Sequence, residues 1–472
     1  MMEAEKMFEV LKEVLEEIVP TPEERAKVGQ VVERVVNALR EVARSLGIRV
    51  EVEVEGSFAK DTWLSGDVDI DVFVLFDPAT PLEELRKFGL ELAMNAANLL
   101  KASWESRYAS HPYLTLNVEG YRVDVVPAYR VSTPSQIISP VDRTPFHTEY
   151  VRGFLETAPH LKDEVRLLKK FAKGVGVYGA EIKVEGFSGY LIELLVIYYG
   201  SFEAVMKGAS SWRPYRVVID IEHHYEGLEE ALRRFRDPLV VIDPVDARRN
   251  VASPVSLGSM CTFIAAARGF LRNPSLDFFH PPEHRPSKPL DDLCSSRALV
   301  AIKTRAPNVS EDVLWGQIKR ALRAISNSLE RMGFRVYSSS GWASNRELVL
   351  LFELEELSLP PLEKHYGPPV YSDHDVRFLK KYLENAIAGP YVEGDKWVVI
   401  RERKTRSVEE ALTRILATQN IGEHITRSLR KGFEVYVGPQ VARASSCESY
   451  RRHLAEWLER RCRWLRASGS GS

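Results

Sequence analysis

Three carboxylates and one turn serine carry the chemistry open to this sequence. Asp69 and Asp71 are one residue apart in VDIDVFVLF at 68–76. The two-residue period of a strand puts both on one face and Val68, Ile70 and Val72 on the other. Asp124 stands in YRVDVVP at 121–127, a later strand-like run with apolar neighbours. Upstream, the alternating IRVEVEV at 48–54 predicts a half-buried strand that ends at Glu55-Gly56-Ser57. There glycine permits a tight turn and brings backbone amides close to an anion. Two carboxylates this close resist joint ionisation unless a divalent cation lies between them. Oxygen-only donors suit Mg2+, which keeps several waters and takes its remaining ligands from substrate phosphates. A pair of such ions ~4 Å apart activates an attacking hydroxyl and stabilises the leaving oxygen of an in-line displacement. Singly, each feature has a plainer reading: a solvated edge strand, a turn, a satisfied buried polar group. Their order on successive elements is what points to two-metal nucleotidyl transfer.

The surrounding elements must hold these groups in place. A helix over 3–18 is followed by one opening at Thr21-Pro22-Glu23-Glu24, where Thr21 caps, Pro22 suits the first turn and Glu24 closes a capping box. Val28, Val31, Val32, Val35, Leu39, Val42 and Leu46 then recur at helical spacing up to Gly47. A helix near 81–103 and strands near 113–118 and 121–127 complete a catalytic domain over 1–145. Residues 146–258 read as a helical central domain, with an amphipathic helix at 161–174, an apolar helix at 187–207 and a loop at VVIDPVDARRNVAS. The Pro-rich stretch 275–289 precedes a module over 290–405, with strands at 298–304, 334–339, 347–355 and 395–402 and helices at 309–333 and 373–386. That βαββαβ order implies a ferredoxin-like fold. The aromatic signature of RRM domains is not evident in it. Residues 406–467 read as a helical, basic segment and 468–472 (SGSGS) as a linker. The fold class expected is α+β and multidomain.

At 472 residues the chain has room for about three domains. Its 44% hydrophobic and 28% charged content is that of an ordinary globular protein. No run reaches membrane-span length, the acidic N-terminus is unlike a signal peptide, and Cys261, Cys294, Cys447 and Cys462 lie scattered without a CxxC pair. Cytoplasmic placement is the expectation, with no structural zinc and no disulfide framework. A net charge of −2 excludes a bulk nucleic-acid coater, so RNA binding must use local basic surfaces.

The Gly-Ser turn and acid triad resemble the DNA polymerase β-type nucleotidyltransferase superfamily. The segments EGSFAKDTWLSGDVDIDVF, RYASHPYL, RVDVVPAY, VDRTPFH, EVRLLKKF, GVYGAEIKVEGFSGYL and IDPVDARRNVAS together resemble the class I, archaeal-type CCA-adding enzymes, which are tRNA nucleotidyltransferases. The likeness is dense over about 50–260 and fainter beyond 290. It implies a polymerase β-like palm in which Asp69, Asp71 and Asp124 hold two Mg2+ ions. It further implies that Gly56, Ser57, Lys60, His147, Lys169 and Tyr178 contact an incoming ATP or CTP, and Arg249 its base. Two positions depart from the pattern: Asp69 stands where Glu is usual, and Lys60 where Arg is frequent, which loses bidentate phosphate geometry. By their chemistry, Ser57 Oγ with nearby amides can take phosphate oxygens, Lys60 adds a point charge, and Arg249 offers a planar fork to a base edge. A surface lysine, a solvent-facing loop histidine and a packing tyrosine are the plainer readings of Lys60 or Lys169, His147 and Tyr178. His111 is compatible with packing in the site.

Near the C-terminus Arg451, Arg452, Arg460, Arg461, Arg463 and Arg466 interleave with Trp457 and Trp464 in what reads as one short helix. Such a run suits a phosphate-binding arm, extended by Lys404, Arg406, Arg427, Arg430 and Lys431. The resemblance implies that this part clasps the tRNA elbow. The activity expected is template-independent addition of C, C and A to the tRNA 3′ end with release of pyrophosphate. A poly(A) polymerase or oligoadenylate synthase shares the same acids, and a non-catalytic RNA-binding protein is the reading from another class. Homodimer formation is left open.

Overall fold

The computed structural model describes residues 2–108 and 112–465, with side chains over 5–107 and 112–465, so His111, Arg466 and the 468–472 linker lie outside it. The chain folds into two compact units, one running up to Glu283 and including the stretch from Cys462, the other His284–Arg461.

The first unit opens with α1 (Met2–Ile18) and α2 (Pro22–Leu46). The Thr21 hydroxyl accepts from the Glu24 amide at 3.1 Å, and Gly47, at φ +67°, ends α2 in the left-handed conformation that glycine adopts at least cost. Then come β1 (Glu51–Glu55), the single turn α3 (Gly56–Ala59), β2 (Ile70–Phe76), α4 (Leu82–Leu100), β3 (Ser103–Tyr108), β4 (Pro112–Val118) and β5 (Tyr121–Tyr129). The sheet order is β1-β2-β5-β4-β3, with β2 and β5 parallel and the other pairs antiparallel. β3 was not expected, because SWESRY has no apolar alternation. It is an edge strand held by its ladder to β4, with Trp104 exposed. Val72, Val74, Val123, Val125, Leu114 and Leu116 pack on the buried stripes of α2 and α4. Phe73, Leu75, Val126 and Ala128 form a smaller cluster on the opposite face. α4 lies close on the sheet at Gly89, where a Cβ would come within 2.5 Å of Pro127 Cβ.

Next are α5 (Thr144–Thr157), α6 (Leu161–Gly174), α7 (Gly189–Tyr199), α8 (Phe202–Ser210), β6 (Val218–Ile219), α9 (Leu228–Arg234), β7 (Val240–Asp243), β8 (Asp246–Asn250) and α10 (Leu257–Arg272). The single helix expected over 187–207 is two helices, α7 and α8, bent by 92°. Gly200, at φ +86°, stops the first, and the Ser201 hydroxyl caps the second by accepting from Ala204 N. Local cap chemistry overrides the continuous apolar run. Both helices sit in a core built around Phe171, Phe202, Phe263 and Phe270. Among the described residues no single helix is long and apolar enough to cross a membrane. The segment expected as a loop is instead the hairpin β7–β8, which the Asn250 carboxamide braces by accepting from Val241 N at 2.8 Å and donating to Leu239 O at 2.9 Å.

The second unit contains α11 (Leu290–Ser295), β9 (Ala298–Arg305), α12 (Glu311–Arg331), β10 (Val336–Ala343), β11 (Glu347–Leu354), β12 (Leu362–Pro369), α13 (Asp375–Tyr382), β13 (Ala388–Glu393), β14 (Lys396–Glu402), α14 (Val408–Thr418), α15 (Glu423–Lys431), β15 (Phe433–Val437) and α16 (Glu448–Glu459). Its antiparallel sheet has the order β10-β11-β9-β15, so the βαββαβ path is present, with different closing elements from those expected. α14 and α15 pack beside α12 in the same core against the sheet, and β15 is the fourth strand. The helix near 373–386 and the strand near 395–402 belong to a separate sheet, β12-β14-β13, inserted between β11 and α14. Residues 406–467 are therefore not wholly helical. Which strands pair is set by long-range contacts, which local periodicity does not encode.

Gly89→Ala is expected to cost about 1–3 kcal/mol in a urea melt, because the added methyl meets Pro127. Gly29→Ala, where a Cβ meets nothing within 4 Å, should leave stability unchanged or raise it by roughly 0.5–1 kcal/mol.

Candidate active site

The parallel register of β2 and β5 sets Asp71 directly beside Asp124. Asp69 is exposed and precedes the first residue of β2. Burial drives the Asp71 carboxyl up to about 6, repulsion from Asp124 and Asp69 adds to the rise, and the Lys60 and Lys169 charges oppose it. Burial raises Asp124 as well. The Thr115 hydroxyl, which donates to Asp124 Oδ1 at 2.6 Å from the neighbouring position on β4, opposes that rise, while Asp69 adds to it. Glu55, opposite Asp71 on β1, is buried and pushed up to about 7, chiefly by desolvation. The turn closes directly on the acids: Gly56 is at φ +70°, and a Cβ there would lie 2.0 Å from Asp71 Oδ2. Ser57 is half-buried in the first turn of α3.

Among the described residues no three His, Cys, Asp or Glu side chains already sit at the spacing of a closed metal site. The acids form an open edge of oxygen donors whose mutual repulsion a hard divalent cation would relieve. That donor set fits such an ion.

The other residues expected at the nucleotide fall into two clusters, one around Glu193 of α7 and one around Asp243 of β7. In the first, Lys60 Nζ pairs with Glu193 Oε2 at 2.6 Å, and the Thr62 hydroxyl donates to Glu193 Oε1 at 2.8 Å. Lys169 Nζ donates to Thr62 O at 3.0 Å and Thr62 Oγ1 at 3.1 Å, and stands 3.6 Å from Glu193. Burial alone would raise Glu193, but the Lys60 and Lys169 charges outweigh it and hold the carboxyl below its ordinary range. Burial pulls Lys169 down to about 8 despite Glu193. Lys60 and Lys169 are thus buried and paired, not free point charges on a loop. Tyr178 meets the same corner: a Cβ at Gly189, in the first turn of α7, would lie 3.2 Å from its hydroxyl and 3.8 Å from Lys169 Cε. Burial raises the Tyr178 hydroxyl, with Glu193 and Asp69 adding to the rise.

In the second cluster Asp243, fully buried at the end of β7, gathers three groups. His147 Nε2 donates to Oδ2 at 3.0 Å, Arg249 Nη1 to Oδ2 at 2.7 Å, and the Tyr190 hydroxyl to Oδ1 at 3.2 Å. The His147 and Tyr190 rings stack 4.0 Å apart. Burial would raise Asp243, yet the bonds and charges of His147 and Arg249 take it down to about 2. Burial lowers His147 against that pull.

Glu193, Asp243, Tyr190, Thr62 and Thr115 were not singled out from the sequence. Two carried a usable signal: Glu193 is the one charge in the apolar helix GYLIELLVIYY, and Asp243 the one charge in VVID. A charge in such a run must be paired.

A cavity of about 920 Å³ lies on the β1 side, lined by Glu53, Glu55, Tyr129, Arg130, Phe146 and Thr148 among others; none of the three acids lines it. In the second unit Arg451 and Arg452 are exposed on α16. The arginines do not share one helix, because α16 ends at Glu459 and Arg460, at φ +50°, turns the chain. Arg460 pairs with Glu353 and lies over the Trp457 ring, and Arg461 is exposed.

In chelator, the raised Asp71 makes the fold most favourable below pH ~4, with that contribution lost as pH rises through about 6. The loss should reach about 3 kcal/mol by pH 7.5, at ~1.4 kcal/mol per pKa unit. Urea melts of Asp71→Asn should lack this part of the slope, and Mg2+ should raise the Tm of the parent protein far more than that of the variant.

Family models match three stretches: a nucleotidyltransferase domain over 36–147, the second domain of tRNA nucleotidyltransferase over 163–280, and the C-terminal domain of CCA-adding enzyme over 295–438. A CCA-adding enzyme of Pyrobaculum islandicum is 42% identical over 405 residues, 86% of this chain and 92% of the relative. One of Methanosarcina barkeri is 40% identical over 455 residues, 94% of this chain and 97% of the relative. Among solved structures, a Cid1 poly(U) polymerase aligns with 56% of this chain and 92% of its own at 14% identity and a TM-score of 0.46, too slight a likeness to separate one transferase from another. With about 40% identity along nearly the whole of both sequences, the chain belongs to the archaeal-type CCA-adding enzymes.

Proposed function

We propose that this protein adds C, C and A to tRNA 3′ ends from CTP and ATP without a template, releasing pyrophosphate. The observation that carries this reading is the pairing of Asp71 with Asp124 against the Gly56 turn, which gives one edge both the acids and a backbone surface for phosphates. Two Mg2+ ions held by Asp69, Asp71 and Asp124 would supply the positive charge for an attacking 3′-hydroxyl and a departing pyrophosphate. Thr115 orients Asp124. Ser57 and the turn amides take phosphate oxygens, beside Lys60, Lys169 and Tyr178. His147 and Arg249, both held by Asp243, face the nucleoside, with the planar fork of Arg249 suited to a base edge. Catalysis on this plan is mostly positioning and charge stabilisation. Arg451, Arg452, Arg460 and Arg461 contribute phosphate contacts to tRNA, Arg460 the least freely because Glu353 already holds it. A poly(A) polymerase or oligoadenylate synthase is not favoured, since the match extends through the C-terminal domain of the CCA-adding family.

The test is extension of a tRNA lacking its terminus with each nucleotide separately. CTP alone should add two residues and stop, and later ATP should add one; runs of A from ATP alone would overturn the assignment. Asp71→Ala should reduce incorporation by at least ~1,000-fold at saturating CTP while tRNA affinity, read by filter binding, stays within about threefold.

A further inference from the structure

The triphosphate-side lysines are not waiting in solvent. Lys60, from the end of α3, and Lys169, from α6, are both buried, and they converge on one carboxylate, Glu193 of α7, together with the Thr62 hydroxyl. The hydrogen bonds run in series from Lys169 through Thr62 Oγ1 to Glu193 Oε1, while Lys60 holds Glu193 Oε2. Two like charges this close, out of water, repel each other unless an anion sits between them. Glu193 is that anion, and it is the largest influence holding Lys169 in its charged form against burial and against the neighbouring Lys60 and Arg166. An ammonium has three donors: Lys60 spends one on Glu193 and Lys169 two on Thr62, which leaves Lys169 one N–H to offer to phosphate and Lys60 more.

We propose that Glu193 is a positioning residue of the triphosphate site: through Thr62 and directly, it holds Lys60 and Lys169 at fixed places and spacing before the nucleotide arrives. This rests on the reading that both lysines face the triphosphate. Without the carboxylate, the ammonium groups separate and their side chains must be ordered again at each binding event, which weakens nucleotide capture more than the chemical step.

The test is steady-state tRNA extension over a range of CTP concentrations, with inorganic tripolyphosphate as competitor to report on the phosphate subsite alone. Glu193→Gln, nearly isosteric and uncharged, should raise KM for CTP about tenfold and the inhibition constant of tripolyphosphate in parallel, with kcat reduced less than about twofold. A purely structural role would lower kcat and thermal stability without moving the tripolyphosphate constant. Because Glu193→Gln leaves two buried cations short of a partner and could fail to fold, Thr62→Val provides a neutral second break in the same network, with an expected rise of about threefold in both constants. The double variant Lys60→Ala/Glu193→Gln should raise KM over Lys60→Ala by less than Glu193→Gln raises it over the parent, since only Lys169 is then left for Glu193 to position. If Lys60→Ala raises KM and the tripolyphosphate constant while Glu193→Gln and Thr62→Val leave them within twofold, the positioning role is refuted and the placement of the triphosphate survives. If Lys60→Ala itself changes neither constant, the placement falls, and the proposal with it.

Discussion

The site depends on one pairing in the backbone ladder. β2 and β5 run parallel in a sheet whose other pairs are antiparallel, and their register leaves Asp71 and Asp124 side by side on the face that the Gly56 turn closes over. Burial raises the proton affinity of both carboxylates, Asp124 adds to the rise at Asp71 and Asp69 to the rise at each, and nearby positive charge favours the ionised forms. Several neighbours answer that demand. Thr115 donates to one acid, Lys60 and Lys169 lend charge to the other, and a bare turn backbone leaves room where any side chain at residue 56 would strike Asp71.

α7 contributes to both side-chain clusters where the nucleotide is proposed to sit. It is apolar nearly all round, as a helix buried in a core must be, yet it carries Tyr190 and Glu193 three residues apart, on one face. Tyr190 reaches Asp243, which holds His147 and Arg249, and Glu193 reaches Lys60, Thr62 and Lys169. Both anions are buried, so their cationic partners are locked by the cost of leaving a charge unpaired rather than by surface ion pairing. Rigid placement of donors is what a reaction dominated by charge stabilisation requires.

Much of the catalytic sheet was legible because its strands bury one face, and alternation records that directly in VDIDVFVLF and YRVDVVP. Cap residues marked the ends of α2 for the same local reason. β3 was not legible, since an edge strand is held by backbone bonds and needs no apolar pattern. The break between α7 and α8 was written at Gly200-Ser201 but hidden by the apolar run around it. The hairpin β7–β8 depends on an asparagine bracing its own backbone, and β15 depends on β9, more than a hundred residues earlier.

The sequence by itself determined which groups are on offer: three carboxylates, a Gly-Ser turn, and the segments by which the family is recognised. These are properties of residue types at short spacing. The tertiary structure alone decided which distant residues share a register and which charges neutralise each other. Lys60, expected at the nucleotide with a surface lysine as its plainer reading, is buried on Glu193, while His147 and Arg249, read separately, share Asp243. The reason is physical: a buried charge must find its counter-charge through space, and nothing along the chain records where that partner lies.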